Sequence, residues 1–224
     1  MRRLCLIVNP HAGGGRAAGA LPAVESALRG RGHELRVERT LSLEHAIELA
    51  RGAAEAGEVA VSFGGDGLAG ACAHALRETA GVLGVLPGGR GNDFARTLGI
   101  PREPVAACAV LSDGSERTVD VGEVDGRTFL GIASYGFDSA VQDLANASRV
   151  KGQLVYLYAT LRGMATWKLV RLTWSADGGP ERSVTGYAVA ACNTGVFGGG
   201  MALAPDADLE DGRLDVVISG ETSK

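Results

Sequence analysis

The chain has 224 residues, of which 46% are hydrophobic and 21% are charged, which is typical of a globular protein and excludes a disordered chain or a coiled coil. Its net charge is −4, whereas proteins that bind phosphate backbones usually carry a basic excess, so no nucleic acid is expected as a partner. Glycine is in excess at 34 residues without a collagen-like repeat, and we expect these glycines in turns and loops.

The first hundred residues alternate between strand and helix patterns. Strands are predicted where short apolar, β-branched runs occur, at residues 3–8, 33–39, 59–63 and 82–86. Helices are predicted between them, over residues 17–28, after a capping Ser42, and over residues 68–79. Strands that alternate with helices in this way indicate an α/β fold, an open parallel sheet with flanking helices.

The pattern changes after residue 112. Residues 119–124 and 128–132 flank Asp125-Gly126, a pair typical of a two-residue hairpin turn. Further strands are predicted at 170–174, 184–191 and 214–218, and helices at 137–146 and 154–165. Hairpins with half-polar strands favour an antiparallel, sandwich-like sheet. We therefore predict an α/β domain over residues 1–112 and a β-rich domain over residues 113–224.

Several sequence features predict a cytoplasmic protein. The apolar run at the N-terminus is too short for a signal peptide, and no uncharged apolar stretch of about 18 residues is present. Four separate cysteines, at positions 5, 72, 108 and 192, lie in apolar stretches and are expected to be buried free thiols. The four histidines show no metal-ligand spacing, and we expect His33 and His45 to be exposed.

Three glycine-rich segments, at residues 9–16, 64–67 and 87–93, each follow a predicted strand. The carboxyl ends of parallel strands form one crevice in which ligands bind. Loops that lack Cβ atoms let backbone N–H groups approach a polyanion, and the helix after each loop turns its positive end toward the same place. Phosphate groups are therefore the expected ligand.

Acidic residues inside these loops help to decide whether the loops bind phosphates or are only tight connections. Taken singly, each loop could be only a tight connection, and neither a G-x-G-x-x-G fingerprint nor a Walker loop is present. Asp66 lies among three glycines, where a carboxylate would repel phosphates unless it binds Mg²⁺ or accepts a proton. Alternatively, Asp66 could be a helix N-cap, and Asn92 and Asp93 could cap the helix that begins at Phe94.

Together, the motifs NPxxGGG at 9–15, GGDG at 64–67 and PGGxGNDFARxLGIP at 87–101 resemble the catalytic domain of the diacylglycerol kinase and sphingosine kinase superfamily, particularly its bacterial soluble members. Residues 131–138, 193–201 and 204–215 resemble the later motifs of that superfamily. The resemblance extends over nearly the whole chain, although GGDG alone is shared with NAD kinases and phosphofructokinases.

The resemblance implies transfer of the γ-phosphoryl group of ATP, with Mg²⁺, to the hydroxyl of a lipid such as diacylglycerol. It implies that the first domain binds the nucleotide, that the second binds the lipid, and that the protein contacts the inner face of a membrane peripherally. Asp66 would be the catalytic residue, acting on the metal or on the attacking hydroxyl. The implied nucleotide-binding residues are Asn9, Pro10, Gly13, Gly14, Arg16, Thr40, Gly64, Gly65, Asp66, Gly67, Arg90, Asn92 and Asp93.

The resemblance also implies a structural Mg²⁺ site in the turn at residues 208–213. Its ligands would be the side chain of Asp211 and the main-chain oxygens of Asp208 and Arg213. A plain Asp-Gly hairpin turn is the alternative explanation of the same residues. Oxygen ligands on a sharp turn that contains glycine suit a hard cation.

Three departures from the superfamily pattern leave other functions open. Leu68 stands where a threonine usually follows GGDG, and Arg90 stands where threonine is common. The chain ends after the strand at 214–218, before the expected segment with a glutamate that is a candidate general base, so we expect further chain or a partner at that sheet edge. The alternatives are a nucleotide-binding module without catalysis, or a kinase for a soluble substrate such as NAD.

Overall fold

The computed structural model describes residues 1–136 and 169–220. The chain divides into two compact units that interleave along the sequence: Met1–Ile132 with Asn193–Arg213, and Ala133–Cys192 with Leu214–Lys224. The helices predicted at 137–146 and 154–165 lie outside the described residues. The division of the sequence at residue 112 stays a prediction.

The first unit is built on a four-stranded parallel sheet in the order β2-β1-β3-β4. Its strands are β1 (Arg3–Val8), β2 (Glu34–Arg39), β3 (Val59–Gly64) and β4 (Leu83–Pro87). The connecting helices are α1 (Arg16–Gly30), α2 (Leu43–Glu55) and α3 (Asp66–Leu76). The predicted α/β fold is confirmed, and each predicted strand and helix of this region is present with ends shifted by a few residues.

Helix packing on both faces explains why the strand β1 is almost uniformly apolar. On β1, Leu4, Leu6 and Val8 belong to a core cluster that also holds residues of α1, whereas Cys5 and Ile7 belong to a second cluster with residues of α2 and α3. Since successive side chains on a strand point to opposite faces, a sheet covered on both sides needs a continuous apolar run.

Short elements complete the first unit. Helices α4 (Asp93–Thr97), α5 (Pro104–Ala107) and α6 (Val110–Asp113) follow β4. The hairpin of β5 (Gly122–Val124) and β6 (Arg127–Phe129) turns at Asp125-Gly126, where both residues have positive φ, as predicted from that dipeptide. The segment 193–213 adds the strand pair β10 (Val196–Phe197) and β11 (Met201–Ala202).

The second unit contains an antiparallel sheet, which confirms the predicted β-rich part of the fold. Its strands are β7 (Ile132–Gly136), β8 (Val170–Trp174), β9 (Arg182–Cys192) and β12 (Asp215–Gly220). The long strand β9 pairs antiparallel with both β8 and β12. Within the described residues, no helix is long and apolar enough to cross a membrane.

The cysteines and two histidines can be compared directly with their predicted environments. All four cysteines are buried free thiols, as predicted, and burial raises the pKa of Cys72 to about 12. The predicted exposure of His33 and His45 is wrong. His33 is only 7% exposed, and its Nε2 lies 2.8 Å from Oγ of Ser112 in α6. His45 is half-buried, and its Nδ1 accepts a hydrogen bond from the N–H of Leu41.

Candidate active site at the carboxyl end of the parallel sheet

The three glycine loops meet at the carboxyl end of the parallel sheet and are joined by backbone hydrogen bonds. The N–H groups of Gly88 and Gly89 both donate to the carbonyl of Gly64, at 2.7 and 2.9 Å. The N–H of Asn9 donates to the carbonyl of Phe63 at 3.2 Å. The loops after β1, β3 and β4 therefore form one continuous surface of main chain.

Glycine is required where these loops touch. Gly13 has a φ of +62°, and a Cβ atom there would lie 2.5 Å from the carbonyl oxygen of Gly88. A Cβ atom on Gly89 would lie 2.5 Å from the Cα of Gly65. Both distances are too short for any side chain, so the packing of the loops itself selects glycine at these positions.

Two side chains fix the shape of the loop after β4. The Oδ1 of Asn92 accepts a hydrogen bond from the N–H of Gly89 at 2.8 Å, and its Nδ2 donates to the carbonyl of Gly89 at 3.0 Å. Arg16, the first residue of α1, donates to the same carbonyl at 3.3 Å. Asn92 and Arg16 thus hold the loop in place.

The start of α3 presents backbone N–H groups that donate no hydrogen bond to the part of the chain that the structure describes. No described residue accepts a hydrogen bond from the N–H of Gly65, Asp66 or Gly67. The first turn of a helix carries such orphan donors together with the positive end of the helix dipole. An anion is the natural acceptor for this group of donors.

Asp66 joins α3 to α4. Its Oδ1 accepts a hydrogen bond from the N–H of Phe94 at 3.0 Å, so the carboxylate caps a helix 28 residues away in sequence rather than its own. Its Oδ2 has no hydrogen-bond partner among the described residues. Asp66 is exposed, and this second oxygen lies near Gly91 at the surface of the loops.

Asp93 holds the glycine segment at residues 198–200. Both of its carboxylate oxygens accept the N–H of Gly199, at 3.1 and 2.9 Å, and the guanidinium of Arg96 donates to the carbonyl of the same glycine at 3.0 Å. Arg96 Nε lies 3.7 Å from Asp93 Oδ1. Sequence reasoning missed Arg96 and Gly199 as partners of Asp93, although both belong to motifs that it had identified.

Asn193 and Asp120 also lie outside the predicted set. Asn193 is fully buried and donates through Nδ2 to the carbonyls of Asp120 and Leu130, at 2.8 and 3.0 Å. The carboxylate of Asp120 accepts the N–H of Gly212 at 2.7 Å. These bonds attach both ends of the segment 193–213 to the first unit.

The remaining predicted nucleotide residues lie around the same edge. Thr40, at the end of β2, is buried; its N–H donates to the carbonyl of Val8 at 2.9 Å and its hydroxyl to the carbonyl of Ser42 at 2.5 Å. Arg90 is exposed at the tip of its loop, with no hydrogen bond or ion pair to a described residue. Pro10 and Gly14 lie in the loop after β1.

Leu68 has a packing role that explains its departure from the superfamily threonine. It is 2% exposed and belongs to the core cluster beneath α2 and α3. A Cβ atom on Gly64 would lie 2.7 Å from a methyl group of Leu68, so the leucine fills the space that the glycine leaves. The side chain thus supports the loop from below instead of facing a ligand.

The turn at residues 208–213 is held by its own carboxylates. Asp208 Oδ1 accepts the N–H of Glu210 at 3.0 Å, and Asp211 Oδ1 accepts the N–H of Arg213 at 2.9 Å. All three predicted metal residues are exposed. Across the described ranges, no group of three or more His, Cys, Asp or Glu side chains could hold a metal ion.

Comparisons with protein families agree with this architecture. The model of the diacylglycerol kinase catalytic domain matches residues 3–124. The model of the YegS C-terminal NAD kinase beta sandwich-like domain matches residues 131–224.

Individual relatives match over nearly the whole chain. A diacylglycerol kinase of Mycobacterium tuberculosis is 32% identical over 99% of this chain and 74% of its own length. A Pseudomonas aeruginosa protein named "Probable lipid kinase YegS-like" is 38% identical over 88% of this chain and 66% of its own length.

Solved structures share the fold. A diacylglycerol kinase from Bacillus anthracis superposes with a TM-score of 0.76 at 24% identity, covering 98% of this chain and 76% of that one. A second structure from that organism gives 0.80 at 26% identity, covering 97% and 73%. The chain therefore belongs to the diacylglycerol kinase catalytic domain family, and it is a phosphotransferase of the lipid-kinase type.

Proposed function

We propose that this chain binds ATP at the glycine loops and transfers its γ-phosphoryl group to the hydroxyl of a lipid such as diacylglycerol. The observation that carries the proposal is the set of unused N–H groups at Gly65, Asp66 and Gly67, beside a carboxylate oxygen of Asp66 that is also unused among the described residues. Backbone donors that are fixed before the ligand arrives stabilise the charge of a transferring phosphoryl group.

In the proposed reaction, the oxygen of the lipid hydroxyl forms a bond to the γ-phosphorus, the bond from that phosphorus to the β,γ-bridging oxygen breaks, and ADP leaves. The hydroxyl gives up its proton. Asp66 Oδ2 is proposed to accept or orient that proton, because Oδ1 is held by the N–H of Phe94. Arg16 and the exposed Arg90 lie on the same loops and would add positive charge near the phosphates.

We also propose a Mg²⁺ ion at the turn of residues 208–213, because of the donor atoms that this turn offers. The turn at residues 208–213 offers only oxygen donors: the main-chain carbonyls of Asp208 and Arg213 and the carboxylate of Asp211, of which Oδ1 alone is used by a described N–H. This donor set fits a hard cation. With the nucleotide, Mg²⁺ supplies charge neutralisation of the phosphates.

The test is phosphate transfer from labelled ATP to lipids in mixed micelles, with diacylglycerol, a sphingoid base and NAD as separate acceptors. We expect a labelled lipid and no labelled NAD. Asp66→Asn should keep an oxygen that accepts from Phe94, and should therefore stay folded and bind ATP, while transfer falls at least about 100-fold. The matched control is Asp177→Asn, at an exposed turn residue with positive φ that asparagine tolerates.

The possible negative results of this assay distinguish the alternative functions. ATP uptake without any labelled product would support a nucleotide-binding module without catalysis, and labelled NAD would support a soluble substrate. Undiminished transfer by Asp66→Asn would remove Asp66 from the proposed mechanism. Peripheral docking on a membrane from the cytoplasmic side is part of the proposal, and it is tested by sedimentation with lipid vesicles.

A further inference from the structure

The glycine turn at residues 198–200, between β10 and β11, lies close to the unused carboxylate oxygen of Asp66. A Cβ atom on Gly91 would lie 3.3 Å from Asp66 Oδ2 and 3.7 Å from the backbone nitrogen of Gly199. Both atoms therefore face the same point beside the loop that follows β4. A group that binds beside Asp66 Oδ2 also meets this turn.

The turn is poorly suited to bind a polyanion. The N–H of Gly199 donates to both carboxylate oxygens of Asp93, and the N–H of Gly200 donates to the carbonyl of Phe197 at 3.2 Å. Two of its three glycine N–H groups are thus used within the chain, and the carboxylates of Asp66 and Asp93 both border it. Since negative charges repel each other, phosphates are expected at the free donors of α3 instead.

An apolar pair flanks the same turn. Phe197 and Met201 are partners across the β10–β11 strand pair. Met201 is 55% exposed, and its terminal methyl group lies over Gly198, 2.5 Å from where a Cβ atom of that glycine would be. An exposed apolar side chain near a free carboxylate oxygen suits an acceptor that carries its hydroxyl on an apolar body.

Arg96 holds this turn in place together with Asp93. Its guanidinium donates to the carbonyl of Gly199 at 3.0 Å, and its buried Nε lies 3.7 Å from Asp93 Oδ1. The three glycines have positive φ values of 59°, 92° and 107°, and a run of glycine has wide conformational freedom unless other contacts restrict it. The position of the turn therefore depends on these two side chains.

We propose that Arg96 is a positioning residue for the acceptor lipid, and this inference rests on the proposed function. Arg96 holds the turn at residues 198–200, with Met201 at its end, beside Asp66 Oδ2, and the turn in this position directs the lipid hydroxyl to that oxygen. Arg96 acts through Gly199 and does not touch the reacting atoms. It determines kcat/KM for the lipid and not the affinity for ATP, whose phosphates are proposed to bind at the start of α3.

Two measurements on the same variants test the inference: transfer from labelled ATP to diacylglycerol in mixed micelles, and calorimetric titration with ATP and magnesium. In Arg96→Gln, kcat/KM for diacylglycerol should fall roughly tenfold, the size expected when a hydrogen bond from a charged donor is lost, and the Kd for ATP should not change. Arg96→Lys should recover part of the loss because it keeps a positive charge beside Asp93. The calorimetric stoichiometry gives the folded fraction, so partial unfolding is not mistaken for a loss of positioning.

The matched control is Arg31→Gln. The side chain of Arg31 is 38% exposed, against 30% for Arg96, and it also pairs with a distant carboxylate, that of Asp113 at 3.2 Å. It lies away from the glycine loops, at the end of α1, so both kcat/KM and the Kd for ATP should stay unchanged.

Met201→Ser keeps the inference testable if Arg96→Gln does not fold. Because Met201 is largely exposed, this variant should fold, and it should lower kcat/KM for diacylglycerol several-fold through the loss of an apolar contact. Met201→Leu, which keeps the side chain apolar, should transfer phosphate like the unaltered chain.

The contrary results are distinct. If Arg96→Gln folds and keeps its kcat/KM for diacylglycerol, or if its ATP affinity falls as much as kcat/KM does, the inference is overturned while the proposed function stands. If Arg96→Gln does not fold, an unchanged kcat/KM in Met201→Ser overturns it. If Met201→Ser sediments less with vesicles that lack diacylglycerol, Met201 contacts the membrane surface and the inference is also wrong. If the unaltered chain phosphorylates no lipid, both the inference and the proposed function are overturned.

Discussion

Asp93 and Gly199 are joined across 106 positions of sequence, since both carboxylate oxygens of Asp93 accept the single N–H of Gly199. The side chain of Asp93 is only 13% exposed, and that of Arg96 beside it is 30% exposed. A carboxylate in this position acts as an internal anion that fixes a glycine segment on α4.

We expect Asp93→Ala to lower the free energy of unfolding by about 2 kcal/mol, because the N–H of Gly199 loses its acceptor and Arg96 its nearest negative charge. Urea denaturation measures the change. The control Asp113→Ala breaks a surface ion pair to Arg31, with Asp113 71% exposed, and should change stability by less than about 0.5 kcal/mol. Equal losses in the two variants would contradict the role assigned to Asp93.

The close approach of Gly13 to Gly88 gives a second prediction. Gly13→Ala combines a φ of +62° with a clash against a carbonyl oxygen, whereas Gly14→Ala has a similar φ of +74° but open space around its Cβ. Gly14→Ala should cost about 1 kcal/mol of stability, and Gly13→Ala at least about 2 kcal/mol more, with loss of ATP binding. Thermal unfolding and calorimetry distinguish the two, and similar behaviour would show that backbone strain alone matters.

Leu68→Thr, which restores the usual superfamily residue, should destabilise this chain. The side chain is 2% exposed and fills the space above Gly64, so losing it removes buried apolar volume and buries a hydroxyl. We expect a loss of about 2–3 kcal/mol in urea denaturation. Leu68→Met, which conserves volume, should lose less than about 1.5 kcal/mol. A more stable threonine variant would show that the leucine is not needed for packing here.

Burial lowers the pKa of His33 below its ordinary value of 6.5, because the charged form is poorly solvated next to Ser112. The unfolded chain then binds a proton more readily than the folded chain, so the free energy of unfolding should fall as the pH drops through 6.5 toward the folded-state pKa. Denaturation midpoints between pH 7.5 and 5.5 measure this. His33→Gln should flatten the slope, and an unchanged slope in that variant would exclude His33 as its source.

Periodicity and turn chemistry account for what could be predicted from sequence alone. The apolar run of β1 and the Asp125-Gly126 turn depend on neighbours within a few residues, so their local pattern determines their structure. The glycine loops could be placed at one sheet edge because parallel topology fixes which strand ends meet.

Long-range contacts between side chains and backbone could not be predicted. Asp66 resembles a cap for its own helix, yet it accepts from Phe94, and Asp93 accepts from Gly199. No periodicity encodes either pairing, because each depends on where a distant segment of main chain returns. The burial of His33 could not be predicted for the same reason, because it depends on contact with the short helix α6, which no strong sequence pattern predicts.

Residues 193–213 belong to the first unit but are synthesised after most of the second, so the first unit can be completed only late in translation. When the four parallel strands have left the ribosome, Asp93 still lacks Gly199, and Asp120 still lacks both Asn193 and Gly212. About a hundred further residues must emerge before those partners arrive, and contacts closed over such separations form late and slowly. A nascent chain stalled before that point would carry a formed sheet whose carboxyl edge is unfinished, and that intermediate is where chaperone capture or proteolysis would act.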